Sequence, residues 1–321
     1  MRTFALLLTL VLCFASVARA QQPPTPVPTP QRSPLIGSDV FERASAALSA
    51  GDYERAAFDY TLLILVNPTF SQGYYGRALS YASQGDFARA LPDIERALAT
   101  APDSGDYRAG IYTLRAEIYR EQENLPAAIA DFGAIIALAP SADSYAQRAL
   151  LQLGTGAFQA SIDDLTEAIA LADDAPLLYA YRAYARTQIA DSDRTLIAAD
   201  WLQFVTLSET ETRDYETFPP SQLQVVESGA GVIHRLPLMG EAGQMFSAAA
   251  GGAQGSQTDP LLILLAPDGT PLIADDDTGG GTTALILGYI LPETGEYTLI
   301  VSHSLGEPTG DIGVQYELGA Q

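Results

Sequence analysis

The chain is poor in groups that catalyse. Its 321 residues hold two histidines, His234 and His303, and one cysteine, Cys13. A serine–histidine relay would have to use Ser302-His303-Ser304. Neighbouring residues of a strand point to opposite faces, so that triplet cannot form one. No Gly-x-Ser-x-Gly nucleophile elbow occurs. Gly251-Gly252-x2-Gly255 lacks the strand-then-helix setting of a phosphate cradle. The candidate metal ligands are Asp275, Asp276 and Asp277 on a glycine-rich loop, joined by Asp259. Calcium takes six to eight oxygens, several of which adjacent carboxylates can supply, although hydrated turn aspartates have the same pattern. The expectation is a non-enzyme with no cofactor other than this candidate calcium.

Charge excludes a second class. Thirty-nine Asp and Glu face seventeen basic residues, all of them Arg, for a net charge of −22. Such a chain repels polyanions, so no nucleic-acid role is expected. Met1 to Ala20 has the form of a secretory signal: Arg2, an apolar stretch from Ala5 to Ala15, and Ala18-Arg19-Ala20 as the cleavage site. The apolar stretch is too short to span a membrane. The mature chain is therefore expected outside the cytoplasm, secreted or periplasmic, with no cysteine and no transmembrane segment. Residues 21–36 follow as a linker, in which the six prolines of Gln21 to Pro34 favour an extended spacer.

The elements that position side chains come next, over residues 37–221. Tyr74-x2-Arg77-Ala78-x2-Tyr81 is followed by Gly85-Asp86-Phe87, Ala90 and Pro102. Tyr112-x2-Arg115-Ala116-x2-Tyr119 is followed by Ala128, Phe132 and Pro140. Tyr145-x2-Arg148-Ala149 and Tyr179-x2-Arg182-Ala183 continue the series, and Arg43-Ala44 with Gly51-Asp52-Tyr53 opens it. This resembles the tetratricopeptide repeat, a helix pair of 34 residues, in about five copies. Small residues let paired helices approach, aromatics fill the joints between copies, and no copy buries its apolar face alone.

Two residue types recur beyond that pattern. Arg43, Arg77, Arg115, Arg148 and Arg182 hold one place in each first helix, and Asp59, Asp93, Asp131, Asp164 and Asp200 one place in each second helix. The separation is 16 in the first four copies and 18 in the last, which implies a two-residue insertion near Asp191 to Arg194. Regular repetition predicts a structural ladder of ion pairs within or between copies. The inner face of such an array is lined by first-helix residues off the packing positions. These are Phe41, Ser45, Tyr75, Leu79, Thr113, Glu117, Arg120, Ala146, Leu150, Leu153, Tyr184 and Gln188. That set suits a protein or peptide partner with hydrophobic anchors. Tyr75 and Tyr184 also suit packing against the next copy.

From residue 222 to 321 the period changes. Val232, His234, Leu236 and Leu238 alternate, as do Tyr297, Leu299 and Val301, while Leu261 to Leu265 is a continuous apolar run fit for a central strand. The last helix is expected to run into Ser208 to Gln222, with a boundary near Pro220. About seven strands would form a sandwich. Gly243-Gln244, Asp259-Pro260, Pro267-Asp268-Gly269, Asp275-Asp276-Asp277, Leu291-Pro292 and Gly295-Glu296-Tyr297 resemble the bacterial pre-peptidase C-terminal domain. The resemblance implies a β-sandwich appended to secreted enzymes, some examples binding calcium or extracellular matrix. No peptidase segment precedes it here. The chain thus reads as a multidomain protein: an all-α repeat solenoid, then an all-β, jelly-roll-like sandwich. Its expected role is an exported scaffold, with a protein or peptide in the groove and a second protein, glycan or surface on the sandwich. The alternative is a calcium- or polysaccharide-binding adhesion module with the repeats as spacer.

Overall fold

The computed structural model describes residues 36–102, 105–253, 258–276, 282–304 and 310–319. The expected signal and linker lie outside these residues, apart from Ile36. Two compact bodies divide between Thr155 and Gly156.

The N-terminal body holds seven described helices: α1 (Ile36–Ser49), α2 (Tyr53–Val66), α3 (Ser71–Ala82), α4 (Phe87–Thr100), α5 (Gly105–Glu121), α6 (Leu125–Leu138) and α7 (Ala142–Gly154). Each helix packs on the next in order. The turns inside the pairs follow one recipe. A residue with positive φ (Gly51, Gly85, Glu123) reverses the chain. The next residue (Asp52, Asp86, Asn124) then accepts a backbone N–H of the following first turn on its side chain. Ala44, Ala56, Ala78, Ala90, Ala116 and Ala128 are fully buried where paired helices meet. Tyr60, Tyr74, Ile94, Tyr107, Ile111 and Phe132 fill the remaining space.

The C-terminal body begins with α8 (Phe158–Leu171), α9 (Pro176–Thr187) and α10 (Arg194–Ser208). The six residues between α9 and α10 hold the expected insertion, and Asp191 supplies the positive φ. Nine described strands follow: β1 (Glu211–Asp214), β2 (Gln224–Val226), β3 (Val232–Gly240), β4 (Met245–Gly252), β5 (Pro260–Leu265), β6 (Pro271–Asp275), β7 (Thr283–Ile290), β8 (Gly295–His303) and β9 (Ile312–Gly319). They form a five-stranded sheet in the order β1-β3-β8-β5-β6 and a four-stranded sheet in the order β2-β9-β4-β7. β1 runs parallel to β3, and the other described pairings are antiparallel. Between the sheets lies a core that includes Leu236, Leu238, Leu262, Leu264, Tyr297, Leu299 and Val301 from one side. Phe246, Ala248, Ala250, Ile286, Val314 and Tyr316 face them from the other.

Three expectations are corrected. The strands number nine among the described residues rather than about seven, because β1 is four polar residues and β2 only three, too short to show a period. The last helix stops at Ser208, and the segment beyond it enters the sheet as β1, where the Thr210 N–H bonds the Gly231 carbonyl at 2.8 Å. The compact bodies part at Thr155 rather than near Pro220. Ile197, Ala198, Trp201, Phe204 and Val205 of α10 pack on Ile233, Leu261, Ile263 and Ile300, the outer face of the five-stranded sheet. Helix and sheet there share one apolar layer, so the change of secondary structure at residue 208 is not a change of folding unit.

Candidate interaction groove

The repeated Arg–Asp positions come together. Arg43 Nε and Nη2 each donate to Asp59 at 2.7 Å. Arg77 binds Asp93 in the same forked manner at 2.7 and 2.8 Å, and Arg115 binds Asp131 at 2.9 and 2.6 Å. In the C-terminal body Arg182 Nη2 donates to Asp200 at 2.6 Å, and Arg186 donates to the same carboxylate. The fourth pair, Arg148 and Asp164, has one member in each body. All five aspartates are buried. A buried carboxylate is tolerable only while its partners stay in place, since its loss of hydration is large. The donated hydrogen bonds of Arg43 hold the Asp59 carboxyl below its ordinary range, against the opposing effect of burial.

The same guanidinium groups have two further uses. Three of them sit over the tyrosine three residues earlier: Arg77 is 5.9 Å from the Tyr74 ring centre, Arg115 is 5.2 Å from Tyr112, and Arg182 is 5.6 Å from Tyr179. The Tyr-x2-Arg spacing is thus a cation–π contact along one helical face. The free Nη1 reaches back to the preceding helix pair. Arg77 donates to Thr61 at 3.1 Å, Arg115 to Glu95, and Arg182 to Thr166 at 3.2 Å. Thr61, Glu95 and Thr166 were not singled out from the sequence. The repeated 16-residue step from Thr61 to Arg77 and from Thr166 to Arg182 was the available signal.

With those charges engaged, the first-helix face divides into joint-filling and open residues. Tyr75 packs at a joint, the second of the two roles its position suits. Its ring meets Tyr107 edge-on at 5.9 Å, its hydroxyl donates to the Gly110 carbonyl at 3.5 Å, and burial pushes its phenol up to about 12. Phe41 is half-buried at another joint, edge-on to Tyr60 and Phe70. Leu153 is buried at 3% exposure, and Ser45 lies 3.3 Å from the Tyr60 hydroxyl. Leu79, Thr113, Arg120, Ala146 and Leu150 are half-buried and Glu117 is exposed. The Glu117 carboxyl touches solvent but is walled by the array; desolvation raises it above the ordinary carboxylate range, against the attraction of Arg120. Tyr184, half-buried on α9, and Gln188, the exposed cap just after it, are in the other body. The joints therefore use the larger aromatics, which leaves the open part of the N-terminal face aliphatic with one acid and one base.

The serine and histidine of the Ser302-His303-Ser304 triplet are engaged separately, and no relay forms among the described residues of the β-rich part. Ser302 Oγ is buried and donates to the Val232 carbonyl at 3.0 Å. His303 accepts the Gly231 N–H on Nε2 at 3.3 Å and places Nδ1 3.0 Å from the Ser304 carbonyl. His234 is buried between the Tyr215 hydroxyl and the Glu227 carbonyl, each at 3.0 Å. Of the candidate calcium ligands, Asp275 accepts the Leu285 N–H at 2.6 Å, and the Asp259 carbonyl accepts the Ser304 N–H at 2.9 Å. Asp276 is half-buried just beyond β6, and Asp277 lies outside the described residues. Among the described residues no three His, Cys, Asp or Glu side chains are grouped to hold a metal, and no helix is long and apolar enough to cross a membrane.

Comparison with known proteins agrees on the helical part. Residues 41–106 match the tetratricopeptide repeat family model. A 67-residue stretch is 36% identical to the tetratricopeptide repeat and J domain-containing co-chaperone DNJ1 of Cryptococcus neoformans var. grubii serotype A. That match spans 21% of this chain and 13% of the co-chaperone. Among solved structures, MamA (residues 41 to the end) from Desulfovibrio magneticus RS-1 aligns at 16% identity and a TM-score of 0.45, over 53% of this chain and 94% of that one. YrrB, described as a TPR protein with an unusual peptide-binding site, aligns at 13% identity and 0.44, over 52% and 84%. The N-terminal region carries tetratricopeptide repeats. The chain as a whole is a helical-repeat array followed by a strand-rich region of two sheets, and repeats of this type are protein-interaction modules.

Proposed function

We propose that this protein is an exported, non-catalytic scaffold that holds a protein or peptide partner on the first-helix face of its repeats. The carrying observation is the division of labour on the first helices of the N-terminal body. The recurring arginines are engaged by buried aspartates and the large aromatics by the joints, while Glu117, Arg120 and Leu150 are left partly open, as is Leu79, whose other side packs against the core of α2 to α5. Apolar anchors beside a few polar groups suit a protein segment better than a small polar substrate. Export rests on the signal pattern of Met1 to Ala20.

We read β2 to β9 as a jelly roll of the pre-peptidase C-terminal kind that contacts a second protein, a glycan or a surface. Support comes from the strand orders β2-β9-β4-β7 and β3-β8-β5-β6, in which eight successive strands alternate between sheets except at the β5–β6 hairpin. The spacer alternative fits less well, since α10 is a structural layer of the β-rich body. The test is affinity capture from an extracytoplasmic fraction with the full mature chain, beside a Leu79→Arg, Leu150→Arg double variant. The scaffold reading expects a client that the variant loses. An unchanged set of captured proteins would refute the groove, and capture that depends only on calcium would favour the adhesion module.

A further inference from the structure

The charge of the same face names a partner chemistry, an inference that rests on the groove reading above. On α5, Asp106, Gly110, Thr113, Glu117 and Arg120 follow one another by three or four residues, which aligns them on one side of the helix. The Tyr75 hydroxyl of α3 meets the Gly110 carbonyl in that row, so the row borders the first-helix face that α3 presents. On α7, Asp143 and Leu150 are two turns apart on one side. Asp106, Glu117 and Asp143 are exposed, and Arg120 is the one cation of these rows. Of the other first-helix arginines, Arg43, Arg77 and Arg115 are committed to buried aspartates, and Arg108 donates to the Leu98 carbonyl at 3.1 Å. The face therefore offers aliphatic contact from Leu79 and Leu150 within a field of net negative sign.

We propose that the groove receives an extended segment of a partner protein that carries arginine or lysine beside apolar anchors, with Glu117 as the principal acceptor of the cation. Apolar anchors alone would strip water from Glu117 and leave only Arg120, one turn along its own helix, to offset the carboxylate, and burying a poorly compensated charge is costly. An acidic segment would add repulsion from Asp106 and Asp143. A basic one adds a second cation beside Glu117 and gains a steered approach to an acidic protein.

The probe is a library of labelled heptapeptides with two apolar positions and two positions that are either Arg/Lys or Asp/Glu, offered to the full mature chain. The expected result is retention of the basic half at least about tenfold over the acidic half, weakening with salt. Glu117→Gln should reduce basic-peptide affinity by about three- to tenfold with an unchanged melting curve, and Glu117→Arg should reverse the preference. The charge inference is overturned if the acidic half binds equally well. It is also overturned if Glu117→Gln changes nothing while Leu79→Ala with Leu150→Ala abolishes binding; the groove would then stand without its charge preference. Binding of neither half, or indifference to the leucine changes, would remove the groove reading and this inference with it.

Discussion

The two sheets of the C-terminal body solve the same problem in opposite ways. The five-stranded sheet is buried on both faces, one against the other sheet and one beneath α10, and β5 reads Pro-Leu-Leu-Ile-Leu-Leu with its first five residues buried. The four-stranded sheet is buried on one face, and β9 alternates as Ile-Gly-Val-Gln-Tyr-Glu. Its outer surface leaves Met245, Leu287 and Ile290 exposed. A continuous apolar strand thus reports a second covering layer, and here that layer is the last helix of the repeat array. The α-helical and β-rich parts are therefore one folding problem from Gly156 onward.

That contrast can be broken most severely by cutting the chain where the secondary structure changes. Gln222–Gln321 alone would expose the outer face of the five-stranded sheet and should be insoluble or unfolded, while Gly156–Gln321 should give one cooperative melt. Equal melting of the two fragments as soluble monomers would show that α10 does not complete the sheet. Trp201→Ala removes the largest side chain of the covering layer, at 1% exposure, and should cost about 3–5 kcal/mol in urea unfolding. The sheets can then be compared directly. Ile263→Ser, beneath α10, should cost about 2–5 kcal/mol. Leu287→Ser, at 62% exposure on the other sheet, should stay within about 0.5 kcal/mol, and similar losses at both sites would erase the distinction.

The smallest effect is one of pH. Both histidines belong to strands of the five-stranded sheet, and His234 is buried on β3. Burial pushes its imidazole below the ordinary value and the Arg213 charge adds to this, while the hydrogen bond to the Glu227 carbonyl acts against both. A depressed histidine favours the fold only while neutral. Its contribution is complete above the unfolded value near about 6.5 and is lost as pH falls from there toward the folded value. Melting of Gly156–Gln321 should therefore drop as pH falls below about 6.5, with a shallower slope in His234→Gln. Identical slopes would place the acid sensitivity elsewhere.

The repeat register was legible because each helix pair restates it: Tyr-x2-Arg, Gly-Asp and the Arg-to-Asp step are visible without a partner sequence. The double burial of β5 was half legible, since Leu261 to Leu265 announces two covered faces but not what covers the second. Ile197, Trp201 and Phe204 resemble any residues that face the next helix pair, and nothing local says that the next layer is a sheet. β1 was hidden because Glu211 to Asp214 has no apolar period and joins the sheet through backbone pairing to β3. The groove was legible as a face but not residue by residue. Tyr75 and Phe41 occupy open-looking positions, and only the neighbouring ring decides whether an aromatic there closes a joint or meets a ligand.

The position of α10 also bears on how such a protein can change in size. Repeat arrays grow by duplication, each new copy docking on the exposed flank of the last. Here the C-terminal flank is occupied by a sheet whose side chains fit one particular helix, so a copy inserted after α10 would have nothing to dock on. Lengthening must occur upstream of α10, and the sheet acts as a permanent end-stop for the array.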